Sequence, residues 1–178
     1  SCSNPVDGYW MIQQAISSND PVIFLEPKRR YWEKAELDES IEPDPLHAAR
    51  VVRQGADATL LAYGPMVKVC LDAAAAAEDE GRDLEVVDLR SLSPLDIDTV
   101  CDSARKTGRP IVVHEASVFG GPGAEVAARV TEKCFYSLES PVLRVGGLHT
   151  PYPPSRVEEE FLPDLDRVLD TVDRALAY

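Results

Sequence analysis

The chain has 178 residues, enough to bury one core and too few for two. Hydrophobic residues make up 44% and charged residues 28%, which excludes wholesale disorder, while 31 acids against 18 Lys and Arg give a net charge of -13. That field excludes nucleic acid and anionic membrane surfaces as natural partners and steers basic proteins inward, and no apolar run approaches the roughly 20 residues of a bilayer span.

Met11, Ile12, Ala15 and Ile16 cluster at helical spacing, so Tyr9 to Ile16 reads as the end of a helix, broken by Ser17-Ser18-Asn19-Asp20-Pro21. Pro21-Val22-Ile23-Phe24-Leu25-Glu26 reads as a short buried strand. A polar stretch then runs to Pro45 and carries a basic-aromatic cluster, Lys28 to Trp32. A helix end and a lone strand leave their apolar faces uncovered. Residues 1–45 are therefore expected to be the tail of another domain with a linker, the rest of that domain lying upstream.

From Gly55 the pattern is regular. Ala58 to Tyr63 is an apolar strand closed by Gly64-Pro65, and Met66, Val69, Cys70, Ala73 and Ala77 recur at helical spacing up to Gly81. Leu84 to Leu89 is a second strand, followed by a helix with Ile97, Val100, Cys101 and Ala104 on one face that ends at Gly108-Arg109-Pro110. Ile111 to His114 is a third strand, Gly120 to Gly123 a turn, and Ala124 to Phe135 a helix. Pro141 to Val145 is the last strand, and a helix with Leu165, Val168, Leu169, Val172, Ala175 and Leu176 inward closes the chain. Apolar strands alternating with amphipathic helices predict an α/β fold, a three-layer αβα arrangement around a largely parallel sheet.

The polar residues assemble no convincing active site. Cys2, Cys70, Cys101 and Cys134 stand far apart, and three fall on apolar helix faces, so they read as reduced structural thiols. No basic segment followed by an apolar one opens the chain, so the expected compartment is the cytosol. His114 ends a strand just before Gly120-Gly121-Pro122-Gly123, the place where such a sheet can hold a phosphate, yet neither G-x-G-x-x-G nor G-K-[ST] is present. A structural turn and an anion site both remain open there. His47 and His149 have no partners visible in sequence, and no Ser-His-Asp or H-x-x-x-H arrangement can be built. Seven acids between Arg156 and the end, against three arginines, read as a solvated helix face or as a docking surface for a basic partner.

Several stretches are similar to one family. Pro21 to Lys28, Gly55 to Gly64, Glu85 to Asp96, Lys106-Thr107-Gly108-Arg109, His114-Glu115-Ala116 and Pro141 to Val145 resemble, in order, the β chain of 2-oxo acid dehydrogenases. The wording Glu26-Pro27-Lys28 and His114-Glu115-Ala116 resembles branched-chain (2-oxoisovalerate) members more than pyruvate ones. The resemblance implies that residues 1–45 are the tail end of a pyrimidine-binding domain and a linker, and that residues 46–178 are a transketolase-type C-terminal domain. It implies an α2β2 enzyme using thiamine diphosphate and Mg2+, with the α subunit, a second β subunit and the subunit-binding domain of an acyltransferase as partners.

The family's catalytic residues lie in regions this chain does not match, so no catalytic or cofactor-binding residue is assigned, and the chain alone is expected to be inactive. A structural K+ is implied at Ala15, Ser18 and Asp20, although all three depart from the commoner residues and the other ligands lie upstream. Glu139, in Leu138-Glu139-Ser140-Pro141, matches an acid that meets an arginine of the acyltransferase, and the Tyr178 carboxylate is placed likewise. The Gly120 turn has no cofactor role in that family. Two alternatives stand beside this reading: a pyruvate or acetoin dehydrogenase β chain, and a stand-alone α/β module that binds a small anion.

Overall fold

Strands rich in apolar residues on both faces must be covered on both faces. In a computed structural model describing all 178 residues, β1 (Arg50–Arg53), β2 (Ala58–Ala62), β3 (Leu84–Asp88), β4 (Pro110–Ser117) and β5 (Leu143–Gly147) form one sheet in the order β1-β3-β2-β4-β5. β2, β3, β4 and β5 run parallel and β1 lies antiparallel on β3. The pleat sends alternate side chains to opposite layers. Leu60, Val86, Ile111, Val113 and Val145 meet α2 (Met66–Glu78) and α6 (Leu165–Leu176). Leu61, Val87 and Val112 meet α3 (Ile97–Thr107) and α4 (Pro122–Cys134). The expected three-layer αβα architecture is the one observed.

Helix ends follow local chemistry. Asp96 and Asp164 cap α3 and α6 by accepting from the amides of Thr99 and Arg167. Gly108, at φ 68°, supplies the left-handed stop of α3, and its N–H reaches Ala104 O at 2.9 Å. A single short turn of helix, α5 (Glu158–Phe161), leads into α6.

Two sequence expectations are corrected. Pro21–Glu26 pairs with no strand, and Val22, Ile23 and Leu25 are exposed. An apolar run becomes a strand only where a neighbour offers it a ladder, and β1 and β5 take both ends of the sheet. Conversely, β1 was not foreseen. Its Arg-Val-Val-Arg run is short, and a bulge between Val51 and Arg53 breaks the alternation that marks a strand.

The first helix, α1 (Pro5–Ser17), starts earlier than its apolar spacing suggests, because Asn4 caps it through Asp7 N at 2.9 Å and Pro5 fits the first turn. A buried polar clasp fastens α1 to the sheet. Asp7 accepts from Arg50 at 2.6 Å, and Ser3 donates to Asp88 at 2.5 Å. Arg90 lies 3.6 Å from Asp7, too far for a hydrogen bond, and donates instead to the carbonyls of Pro45 and Ala48. Burial raises the Asp88 carboxyl above its ordinary value.

Candidate functional site

The carboxyl end of β4 is the first place to look, since parallel sheets hold ligands there. His114 is fully buried; its Nδ1 donates to Ala116 O at 2.8 Å, and Nε2 has no partner. A Cβ on Gly121, Gly123 or Gly146 would collide with this ring. The Gly120–Gly123 turn is therefore closed around an imidazole, and the space an anion would need is occupied by a side chain. Burial holds His114 below its ordinary 6.5, leaving the ring neutral at pH 7. Beside it, burial and the charge of Glu115 push the Tyr63 hydroxyl up to about 12. Burial also raises Glu115, against the pull of Arg29 at 3.4 Å. These groups pack around the carboxyl end of β4.

The expected K+ turn spends its oxygens on itself. Ala15 O accepts from the Ser18 amide at 3.3 Å and Ser18 Oγ from the Asp20 amide at 3.1 Å, with Asp20 exposed. A dehydrated cation needs several oxygens converging on one point, so these three residues would need further ligands to hold one. No group of three or more His, Cys, Asp or Glu side chains stands together so as to hold a metal ion. The four cysteines are buried and unpaired, as free thiols packed in apolar surroundings should be. No helix is long and apolar enough to cross a membrane.

The strongest site is a groove of about 1040 Å³ between α4 and the segment entering β5. Its floor is Ala124, Ala127 and Ala128, small residues that keep one flank of α4 flat. At the end of α4 the chain tightens into a short 3-10 turn at Phe135–Ser137. This turn throws Phe135 and Tyr136 outward as an edge-to-face pair 5.4 Å apart, 64% and 100% exposed. Such a pair presents large apolar area with little rotamer entropy to lose.

Both partner-binding residues expected from sequence, Glu139 and Tyr178, line this one groove. Glu139 is also anchored from below. Its amide donates to Gly108 O at 2.8 Å and its carboxylate meets Arg109 at 2.6 Å. The acids at the chain's end do not join them. Three of these acids lie in α5, where Glu158 accepts from Tyr152; the rest cap or lie on α6, which packs in the layer opposite α4, with Asp164 capping it and Asp173 paired with Arg82. Sequence reading missed Arg109, Phe135 and Tyr136; the signal available was two aromatics just past a helix whose apolar face was already complete.

What the groove can do is bind. Exposed aromatics, a carboxylate and an alanine floor suit a partner that is apolar at its centre and basic at its rim.

Known proteins contain a similar chain. It is 58% identical, over 99% of its length and 52% of the relative, to the pyruvate dehydrogenase E1 component subunit beta of Leifsonia xyli subsp. xyli. It is 49% identical, over 98% of its length and 50% of the relative, to the 3-methyl-2-oxobutanoate dehydrogenase subunit beta of Mycobacterium tuberculosis. The chain thus spans about half the length of these relatives, and the identities do not favour a branched-chain name over a pyruvate one. Among solved structures, a split gene transketolase described as an inactive beta4 tetramer superposes with a TM-score of 0.68 at 31% identity, covering 80% of this chain and 46% of that one. The transketolase C-terminal domain family matches residues 47–168, the stretch that holds the whole sheet from β1 to β5 and most of its helices, and the chain belongs to that family.

Proposed function

We propose that this chain is the C-terminal half of the β subunit of a thiamine-diphosphate-dependent 2-oxo acid dehydrogenase, working in the cytosol. Its task there is assembly and docking rather than chemistry. Residues 1–45 belong with a pyrimidine-binding domain, a reading supported by Ile23 and Trp32, which stand 89% and 90% exposed. The α subunit and a second β chain complete the enzyme, which decarboxylates a 2-oxo acid and passes the acyl group to a lipoyl arm. The docked occupant of the α4 groove is the small basic subunit-binding domain of the acyltransferase. The observation that carries this is the meeting of Glu139 and Tyr178 with the exposed Phe135–Tyr136 pair in one groove of an acidic chain.

Calorimetric titration of the assembled α/β enzyme with that basic domain tests the docking. Binding of one domain per two β chains that weakens as salt rises is expected, and absence of heat at low salt overturns it. Branched-chain 2-oxo acids are the proposed substrates, on the wording around Glu26 and His114. A second reading, pyruvate, rests on the 58% identity to a subunit named for it. Initial rates with 2-oxoisovalerate and with pyruvate on the assembled enzyme separate the two. The chain alone is expected to release no CO2 from either acid, and measurable turnover would refute that.

A further inference from the structure

Glu139 does not stand free in the groove, and what holds it reaches back thirty residues. The corner between α3 and β4 is rigid for reasons local to Gly108-Arg109-Pro110. Gly108 is locked in a left-handed conformation at φ 68° and Pro110 begins the strand with a fixed φ. Between them, the Arg109 carbonyl accepts from the Thr59 amide at 3.0 Å, tying the backbone to the central strand. Glu139 is draped over this corner. A Cβ on Gly108 would lie 2.8 Å from Glu139 Cγ, so the acid's stem occupies the space that the missing side chain leaves. The Gly108 carbonyl then takes the amides of both Glu139 and Ser140, at 2.8 and 3.4 Å.

Above the corner, one guanidinium nitrogen of Arg109 meets Glu139 Oε2 at 2.6 Å. Arg109 itself is 23% exposed and its Nε is buried without a partner, so the arginine is the sunken member of the pair and the glutamate, 61% exposed, the outward one. A carboxylate has about four lone-pair positions, and Arg109 engages one oxygen. No hydrogen bond within the chain engages the second oxygen, Oε1, and Glu139 lines the groove. A lone exposed glutamate must lose its rotamer freedom when it binds; the contact with Arg109 and the packing of its stem over Gly108 restrict this one beforehand.

We infer that Arg109 is a positioning residue for docking: it fixes the Glu139 rotamer and leaves Oε1 aimed at a basic group of the partner. The inference rests on the docking reading above and deepens it. Arg109 does not compete with the partner's cation, because the two cations take different oxygens, and the carboxylate bridges them. Immobilising one long side chain beforehand is worth roughly 3- to 10-fold in affinity.

The experiment has two arms. In the first, side-chain relaxation of Glu139 is measured by NMR in the α/β assembly and in Arg109→Met, without any partner present. A rigid Glu139 side chain that becomes mobile in Arg109→Met is expected, and a Glu139 equally mobile in both overturns the inference. In the second, the assembly is titrated with the basic subunit-binding domain. Arg109→Met is expected to weaken binding roughly 3- to 10-fold while keeping its salt dependence, because Glu139 is still charged. Glu139→Gln lowers both, and adding Arg109→Met to Glu139→Gln costs nothing further. A substitution that only damaged the fold would weaken both backgrounds alike, and thermal melting of each variant checks this. Unchanged or tighter binding by Arg109→Met overturns the inference and makes the arginine a competitor. A rigid Glu139 with no binding by the unaltered assembly overturns the docking reading instead.

Discussion

The two parts of this chain are held together by different physics. In residues 49–178 the central strands β2 and β3 are buried at every position, and the two layers of apolar contact are spread over many side chains, none of which is decisive alone. Residues 1–48 hold only one helix of any length, and attach to the sheet through a few charged groups: Asp7 with Arg50, Arg90 with two carbonyls, and Arg29 with Glu115. Burial of apolar surface is non-directional and degrades gradually, whereas a polar clasp depends on each member and fails when one is removed. The layered part is built to stand by itself. The clasped part is built to be oriented.

The contrast can be broken or sharpened by substitution, starting with the largest effect. Leu60 is fully buried in the central strand β2, and Leu60→Ala should cost about 2–5 kcal/mol, read as a lower denaturant midpoint that lowers all five strands together. Asp7→Ala should cost about 2 kcal/mol of charged hydrogen bonding, but locally. Hydrogen exchange should speed in α1 and leave β2 and β3 protected; equal acceleration of both would erase the distinction between the two regions. Gly108→Ala forces a left-handed residue and a contact with Glu139, an effect of about 1–2 kcal/mol on thermal unfolding.

Smaller effects follow. His114 is held below its ordinary 6.5 by burial, so the unfolded chain binds its proton more readily than the folded one. The stability that depends on it is full above pH 6.5 and declines as pH falls below, with a slope of at most one proton, about 1.4 kcal/mol per pH unit. Urea midpoints of the wild-type chain and His114→Gln from pH 5 to 8 should converge toward acid, and a constant difference would refute the assignment. At the bottom of the scale, Lys68→Ala removes an exposed pair with Asp72 and should change stability by less than about 0.5 kcal/mol.

The layered half was legible because its signals are local. The runs 58–63, 84–89 and 111–114 are mostly apolar, with Thr59, Glu85, Asp88 and His114 the exceptions, and Gly81 and Gly108 mark helix stops within three residues of where α2 and α3 end. The clasped half was not, since a run such as Pro21–Glu26 is a strand only if something distant pairs with it. In the groove, Glu139 and Tyr178 came from resemblance, not from periodicity, and Arg109 escaped because nothing near Gly108-Arg109-Pro110 announces a glutamate thirty residues on. Likewise, the glycines of residues 120–123 are a turn signal in sequence; that Gly121 and Gly123 make room for His114 appears only once the sheet is assembled.

The short strand β1 has a consequence for how the molecule behaves when crowded. Any open sheet offers its outer strand as a template for another copy. Here that strand is four residues long, bulged, and flanked by Arg50 and Arg53, which are committed to Asp7, Asp44 and Glu78. A second molecule adding itself edge to edge would face guanidinium against guanidinium and would have to strip three acids from their partners. Self-association through this edge is thus blocked by the same arginine that holds α1 in place, and a chain that loses its first helix would lose part of its protection against aggregation with it.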